Sequence, residues 1–130
     1  MFNYLIGNTD NHIKNLSLLY GEDLKTIRLA PAYDIVSTMI YDTSSENMAL
    51  SINGICNIHG ITREDFAKAA SHVGIGTKIA MKRFDTMVNG FTDAITKAKT
   101  ELKSQGFEQV EQICEMIMKK GGISKELNRS

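Results

Sequence analysis

Apolar positions follow two different rhythms along this 130-residue chain, and the change falls near residue 60. From Thr62 onward they recur at three- and four-residue intervals, the spacing that lines one face of an α-helix. Thr62-Arg63-Glu64-Asp65 reads as a capping box with Asp in the place usually held by Glu or Gln. Phe66, Ala69, Ala70 and Val73 then share a face, and Gly74 ends the segment. Thr77 opens a longer helix, with Ala80, Phe84, Met87, Val88, Phe91, Ala94, Ile95, Ala98 and Leu102 in step over about six or seven turns. Gly90 lowers helix propensity in its middle. Gly106 breaks the pattern, and Phe107, Val110, Ile113, Cys114, Ile117 and Met118 form a further stripe. That stripe closes at Lys119-Lys120-Gly121-Gly122, basic residues in a last turn followed by glycine. The tail to Ser130 adds a short helix or frays.

Before residue 60 the apolar runs are short and β-like. Residues 16–20 and 26–29 are extended candidates, and Gly21-Glu22-Asp23 between them carries turn chemistry, so a hairpin is expected. Pro31, the only proline, lacks a backbone donor and ends any strand. Residues 33–39 suit a short helix or an extended segment. Residues 42–47 form a polar loop, residues 48–52 alternate apolar and polar, and Asn53-Gly54 signals a turn. The expectation is a single domain over 1–130, mainly α, with an irregular part at 1–60 and a helical part at 61–130. The methionines within the helical stripes are read as core.

Composition narrows the class. An apolar fraction of 42% and a charged fraction of 23% suit one globular domain with a real core. The 15 Lys and Arg balance 15 Asp and Glu, without the basic excess of a dedicated nucleic-acid binder. Cys56 and Cys114 stand in no paired motif, and the nearest histidine, His59, gives only Cys-x-x-His. They read as reduced, partly buried thiols of a cytoplasmic protein. No apolar run approaches the roughly 20 residues that span a bilayer, and Met1-Phe2-Asn3-Tyr4 shows no signal-peptide pattern.

The candidate chemistry sits in Gly7-Asn8-Thr9-Asp10-Asn11-His12-Ile13-Lys14-Asn15, which packs a carboxylate, an imidazole, an ammonium and three amides between apolar flanks. A polar loop pinned by a core is where catalytic groups are held. Asp10 and Asn15 have the Asp-x4-Asn spacing of a kinase catalytic loop. There a carboxylate meets the acceptor hydroxyl and an amide oxygen holds Mg²⁺ on the nucleotide phosphates. Asp34, just past the expected hairpin, is the candidate second metal ligand, since the hairpin would fold it back beside Asn15. One Asn and one Asp is a sufficient protein share for Mg²⁺. The spacing alone is unspecific, because Asp42 and Asn47 match it equally well inside the polar loop. Asp10 and Asn15 could also do no more than satisfy backbone groups in a tight turn.

The same residues carry a family resemblance. Residues 7–17, Gly-Asn-Thr-Asp-Asn-His-Ile-Lys-Asn-Leu-Ser, resemble the catalytic-loop signature of HipA-type toxin kinases. Arg28-Leu29-Ala30-Pro31-Ala32-Tyr33-Asp34-Ile35-Val36-Ser37 resembles the family's metal-binding segment, and Met48-Ala49-Leu50-Ser51-Ile52-Asn53-Gly54 a stretch that follows it. The resemblance implies the helical C-terminal lobe of a serine/threonine protein kinase, with a short hairpin carrying the catalytic and metal-binding segments. It implies Asp10 as catalytic base and Asn15 and Asp34 as Mg²⁺ ligands beside ATP. It also implies a bacterial toxin–antitoxin setting and a translation component, such as an aminoacyl-tRNA synthetase, as protein substrate. A HipB-like helix-turn-helix antitoxin would be the partner, so DNA is reached only through it. Lys14 either contacts the transferring phosphate or braces the loop, since it stands four residues after Asp10 where ordinary kinases place a lysine two after. His12 takes that nearer position and reads as structural, a ring N–H fixing loop carbonyls. His59 and His72 read as solvent-facing or cap-like.

A complete kinase also needs a phosphate-covering glycine-rich loop and a strand lysine. Neither precedes Asp10, and Gly74-x-Gly76 is too short a pattern. The expectation is therefore a chain without its N-terminal lobe, as a fragment of a longer kinase, a truncated gene product or one half of a split system, with negligible activity alone. Apolar surface left by a missing lobe would favour self-association. The competing reading is a non-catalytic module whose helical part docks an antitoxin or another kinase lobe. A third, a small-molecule kinase of the aminoglycoside type, fits the block ending at Asp34 less well.

Overall fold

The computed structural model describes residues 1–129. Helix α1 spans Phe2–Ile6 and is followed by two separate hairpins. In the first, β1 (Leu18–Tyr20) pairs antiparallel with β2 (Ile27–Leu29), with Leu18 opposite Leu29. In the second, β3 (Asn47–Ile52) pairs with β4 (Ile55–Asn57). The helical part follows as α2 (Arg63–His72), α3 (Thr77–Ser104), α4 (Val110–Lys120) and α5 (Gly122–Leu127). About half of the residues are helical and the strands are confined to these two small sheets. Among the described residues no helix is long and apolar enough to cross a membrane.

Turn chemistry explains the second hairpin. Asn53 and Gly54 have φ of 53° and 80°, the left-handed pair that a two-residue turn needs to match strand twist. Asn53 does more than turn: its Nδ2 donates to Asp65 Oδ1 at 3.0 Å. Asp65 also accepts from the Thr62 backbone N–H at 2.9 Å and the Thr62 hydroxyl at 2.6 Å, so the expected cap of α2 also ties that helix to the hairpin. These donors, the Thr62 hydroxyl first and Asn53 next, hold the Asp65 carboxyl down at about 2. A depressed folded pKa stabilises fully above the ordinary carboxylate value, and the contribution is lost as pH falls through the folded one. Urea unfolding should therefore weaken more steeply between about pH 4 and about pH 2 in the wild type than in Asp65→Asn. Equal slopes would remove Asp65 from the acid limb.

The core centres on three rings. Tyr4 lies edge-on to Phe66 at 5.2 Å between centroids, and Phe66 lies 4.9 Å from Phe84. Leu5, Ile58, Ile61 and Ile123 complete it, all buried. A five-residue helix cannot persist on propensity alone, so α1 is fixed by this packing. Tyr4 is 0% exposed, and its hydroxyl donates to Glu126 Oε1 on α5 at 2.9 Å. Burial first, then the bonded carboxylate, pushes the Tyr4 phenol up. Gly122 makes the approach of α5 possible, since a Cβ there would sit 2.6 Å from the Tyr4 ring.

Several expectations change. The apolar stripe of α3 is buried at Ala80, Met81, Phe84 and Phe91, with Val88 and Ile95 packed partly against the core; Ala94, Ala98 and Leu102 are exposed. Phe107 is exposed and lies outside α4. Gly106 turns left-handed at φ 92°, and the Phe107 N–H is used to cap α3 at the Leu102 carbonyl, 3.1 Å away. Residues 33–37 form neither helix nor strand, with a 3₁₀ turn only at Thr38–Ile40. Cys56 is exposed rather than partly buried, whereas Cys114 is buried and its thiol pushed up by burial.

Candidate functional site

Helix α1 delivers the polar loop directly out of the core. Gly7 closes the helix at φ 74°, and a Cβ there would stand 2.9 Å from Met39 Cβ. The Gly7 carbonyl accepts from the Met39 N–H at 3.0 Å and the Thr38 hydroxyl at 3.1 Å. Thr38 Oγ1 in turn accepts from the Thr9 N–H at 2.9 Å. The two threonine hydroxyl oxygens lie 2.7 Å apart; since Thr38 gives its one proton to Gly7, Thr9 is the donor between them. On the other side the Thr9 carbonyl accepts from the Ala49 N–H of β3 at 2.8 Å. Asn8 and Thr9 are thus buried and fixed, and Asp10 emerges exposed at the end of a rigid step.

The chain then makes one 3₁₀ turn, Ile13–Asn15, anchored by the His12 N–H on the Asp10 carbonyl at 2.9 Å. Asn15 is buried, and its Nδ2 donates to Asp34 Oδ2 at 3.0 Å, with a longer 3.5 Å contact to the Asp10 carbonyl. Asp34 adopts φ 54°, a left-handed backbone that Asp tolerates but rarely takes, and such outliers gather at functional sites. A second tie comes from Tyr33, whose hydroxyl donates to the Lys14 carbonyl at 2.8 Å and lies 3.1 Å from Ser17 Oγ. Asp10, Asn15 and Asp34 therefore meet at one end of the first hairpin. Lys14 is exposed and held by its carbonyl. The ring bond expected of His12 is not made at Nδ1, which is buried without a partner; the backbone N–H does that work. His59 and His72 are exposed as expected.

The donor set fits magnesium. Both amide hydrogens of Asn15 point at Asp34 and Asp10, which leaves Oδ1 as the available lone-pair donor beside the exposed Asp34 carboxylate. Two hard oxygens, with phosphate and water for the rest, is an ordinary magnesium share. Among the described residues no three His, Cys, Asp or Glu side chains converge. The rival Asp-x4-Asn pair has other employment: Asp42 pairs with Lys120 Nζ at 2.6 Å, and Asn47 opens β3. Beside Asp10 lies a cleft of about 340 Å³ lined by Thr9, Thr38, Ser44, Ser45, Asn47 and Ala49, in which Asp10 supplies the only charge. Every strand residue of β1 and β2 is exposed, as are Leu16, Leu24, Tyr33, Ile35 and Val36.

Comparison with known proteins gives the family and the fold. The HipA-like C-terminal domain family matches residues 1–98, covering the loop, both hairpins, α2 and most of α3. The chain belongs to that family. This HipA-like domain is 30% identical over 97 residues to Y4mE of Sinorhizobium fredii (strain NBRC 101917 / NGR234), a candidate kinase, covering 75% of this chain and 23% of that protein. It is 33% identical over 81 residues to Y4dM of the same organism, also a candidate kinase, covering 62% and 20%. The domain thus spans about a quarter or less of the curated relatives it matches. Its fold matches a chain in the Shewanella oneidensis MR-1 toxin–antitoxin complex of HipA, HipB and operator DNA. The TM-score is 0.71 at 20% identity, over 99% of this chain and 32% of that one.

Asn8 and Tyr33 lie inside the segments quoted for the family resemblance without a role of their own, and Thr38, which also organises the loop, lies outside them. The one available signal was the density of amides around Asp10, since buried amides are held in place by the hydrogen bonds they make.

Proposed function

We propose that this HipA-like domain is the part of a serine/threonine protein kinase that carries the catalytic loop and the magnesium ligands, acting with ATP on a protein hydroxyl. The observation that carries the reading is the Asn15–Asp34 contact at 3.0 Å with Asp10 on the same rigid loop. On this reading Asp10 accepts the proton of the acceptor hydroxyl as its oxygen bonds to the γ-phosphorus and the bond to ADP breaks. Asn15 Oδ1 and the Asp34 carboxylate hold Mg²⁺, which when bound neutralises charge on the phosphates. Lys14, exposed four residues after Asp10, is the side chain available to the transferring phosphate. The hydroxyl-rich cleft beside Asp10 suits an uncharged acceptor side chain.

The HipA, HipB and operator DNA complex that the fold matches supports a HipB-like partner; that this partner is a helix-turn-helix antitoxin in a cytoplasmic setting, with DNA reached only through it, is what the family resemblance implies. A translation component such as an aminoacyl-tRNA synthetase is the acceptor implied by the family. The exposed apolar hairpin favours a second role as a docking face, for the remaining kinase lobe or for a second copy. Positioning and electrostatics supply nearly all phosphoryl-transfer catalysis, and the glycine-rich loop and strand lysine are absent from these 130 residues. Negligible transfer by the chain alone is the expected result.

Nucleotide titration tests the reading. The wild type should bind an ATP analogue only with Mg²⁺ present, and Asn15→Ala should lose that Mg²⁺ dependence. No nucleotide binding in any condition, together with tight binding to a HipB-like protein, would replace the kinase reading with a purely docking module.

A further inference from the structure

We propose that Asn8 is a positioning residue which, by holding the Asp34 carbonyl, sets the left-handed backbone that turns the Asp34 carboxylate toward Asn15. The inference rests on the magnesium reading of Asn15 and Asp34. Asn8 is 1% exposed. Its backbone N–H is fixed on the Asn3 carbonyl of α1 at 2.8 Å. Its Nδ2 donates to Asn3 Oδ1 at 3.2 Å and to the Asp34 carbonyl at 3.4 Å.

The orientation of this amide is forced. The Asp34 carbonyl can only accept, so turning the amide over would set Oδ1 against that oxygen. Oδ1 itself is buried without a partner, so every hydrogen bond this side chain makes comes from its N–H groups. The link runs from the core to the metal ligand in three steps: α1 fixes Asn8, Asn8 fixes the Asp34 carbonyl, and the Asp34 carboxylate meets Asn15 Nδ2 at 3.0 Å. Between Asp34 and the Thr38 clamp lie only three residues outside any regular element. With φ at 54°, Asp34 sits where an L-residue stays only when its surroundings hold it. Asn8 supplies such a hold, and Asn15 answers from the carboxylate side.

Mn²⁺ alone serves as the probe, read by paramagnetic broadening of backbone amide signals in the ¹⁵N-labelled chain. The wild type should broaden first at Asn15 and Asp34. Asn8→Leu keeps the side-chain shape without donors, and Asn8→Ser is too short to reach the carbonyl. Each should raise the Mn²⁺ midpoint by about tenfold or more, the usual cost of losing a residue that orients a metal ligand. Each should also move Asp34 out of the left-handed region, as read from its ³J(HN–Hα) coupling and carbon shifts, with signals of α2 and α3 unchanged. Asp34 keeping its left-handed backbone in these variants overturns the proposal. If Asn8→Leu does not fold, Asn8→Ser decides. If the wild type shows no broadening at Asn15 and Asp34, the magnesium reading fails, and the backbone readout alone decides the role of Asn8.

Discussion

Phe84→Ala should lower the unfolding free energy by about 3–5 kcal/mol, the usual cost of removing a buried aromatic and leaving its cavity. The ring touches both partners of the aromatic cluster, 4.9 Å from Phe66 and 6.5 Å from Tyr4. It is also a point where α3 meets α1, so a cavity there loosens the helix that delivers the polar loop. A single domain of this size has about 5–15 kcal/mol to lose, so the loss is a large share of the whole and should show as a clear fall in the denaturation midpoint. Denaturant melts of the wild type and Phe84→Ala, compared with the exposed Phe107→Ala, would measure this. Losses of equal size in the two variants would show that the ring cluster is not the centre of the core.

Asp34→Ala and Asp10→Asn should fail in different ways. Asp34→Ala removes one of two proposed protein ligands, so Mg²⁺-dependent nucleotide affinity should fall by about tenfold or more. Asp10→Asn keeps the loop and both proposed ligands, because only the Asp10 carbonyl takes part in the loop hydrogen bonds. Nucleotide affinity should then persist while phosphoryl transfer is lost in any assembly that restores the rest of the kinase. A positioned general base accounts for roughly 10²–10⁴ in rate. Calorimetric titration separates the two variants, and equal loss of binding in both would mean that Asp10 belongs to the metal site rather than to the acceptor.

Much of this was legible in the residues, and for local reasons. The capping box at Thr62, the 3.6-residue stripe from Thr77 and the Asn53-Gly54 turn each depend on neighbours within a few positions, so the pattern stated the structure. The misses are places where distant contacts decide. Phe107 carries the right periodicity but its amide is taken by the end of α3. The candidate site divides the same way: the return of the hairpin brings Asp34 to Asn15 as expected, while the Asp10–Asn15 spacing by itself was matched equally by Asp42 and Asn47. Thr38 and Asn8 act across 29 and 26 residues and leave no periodic trace.

The first hairpin has a thermodynamic consequence. Two strands of three residues with no buried side chain cannot hold themselves together with much free energy. The stretch from Leu16 to Asp34 should therefore open locally at far lower cost than the helical part unfolds. On the proposed magnesium reading, a partner that covered the hairpin would raise the population of the closed form, and with it the cation affinity of the adjoining Asn15–Asp34 pair. By linkage, a cation seated on that pair must strengthen the cover by the same factor.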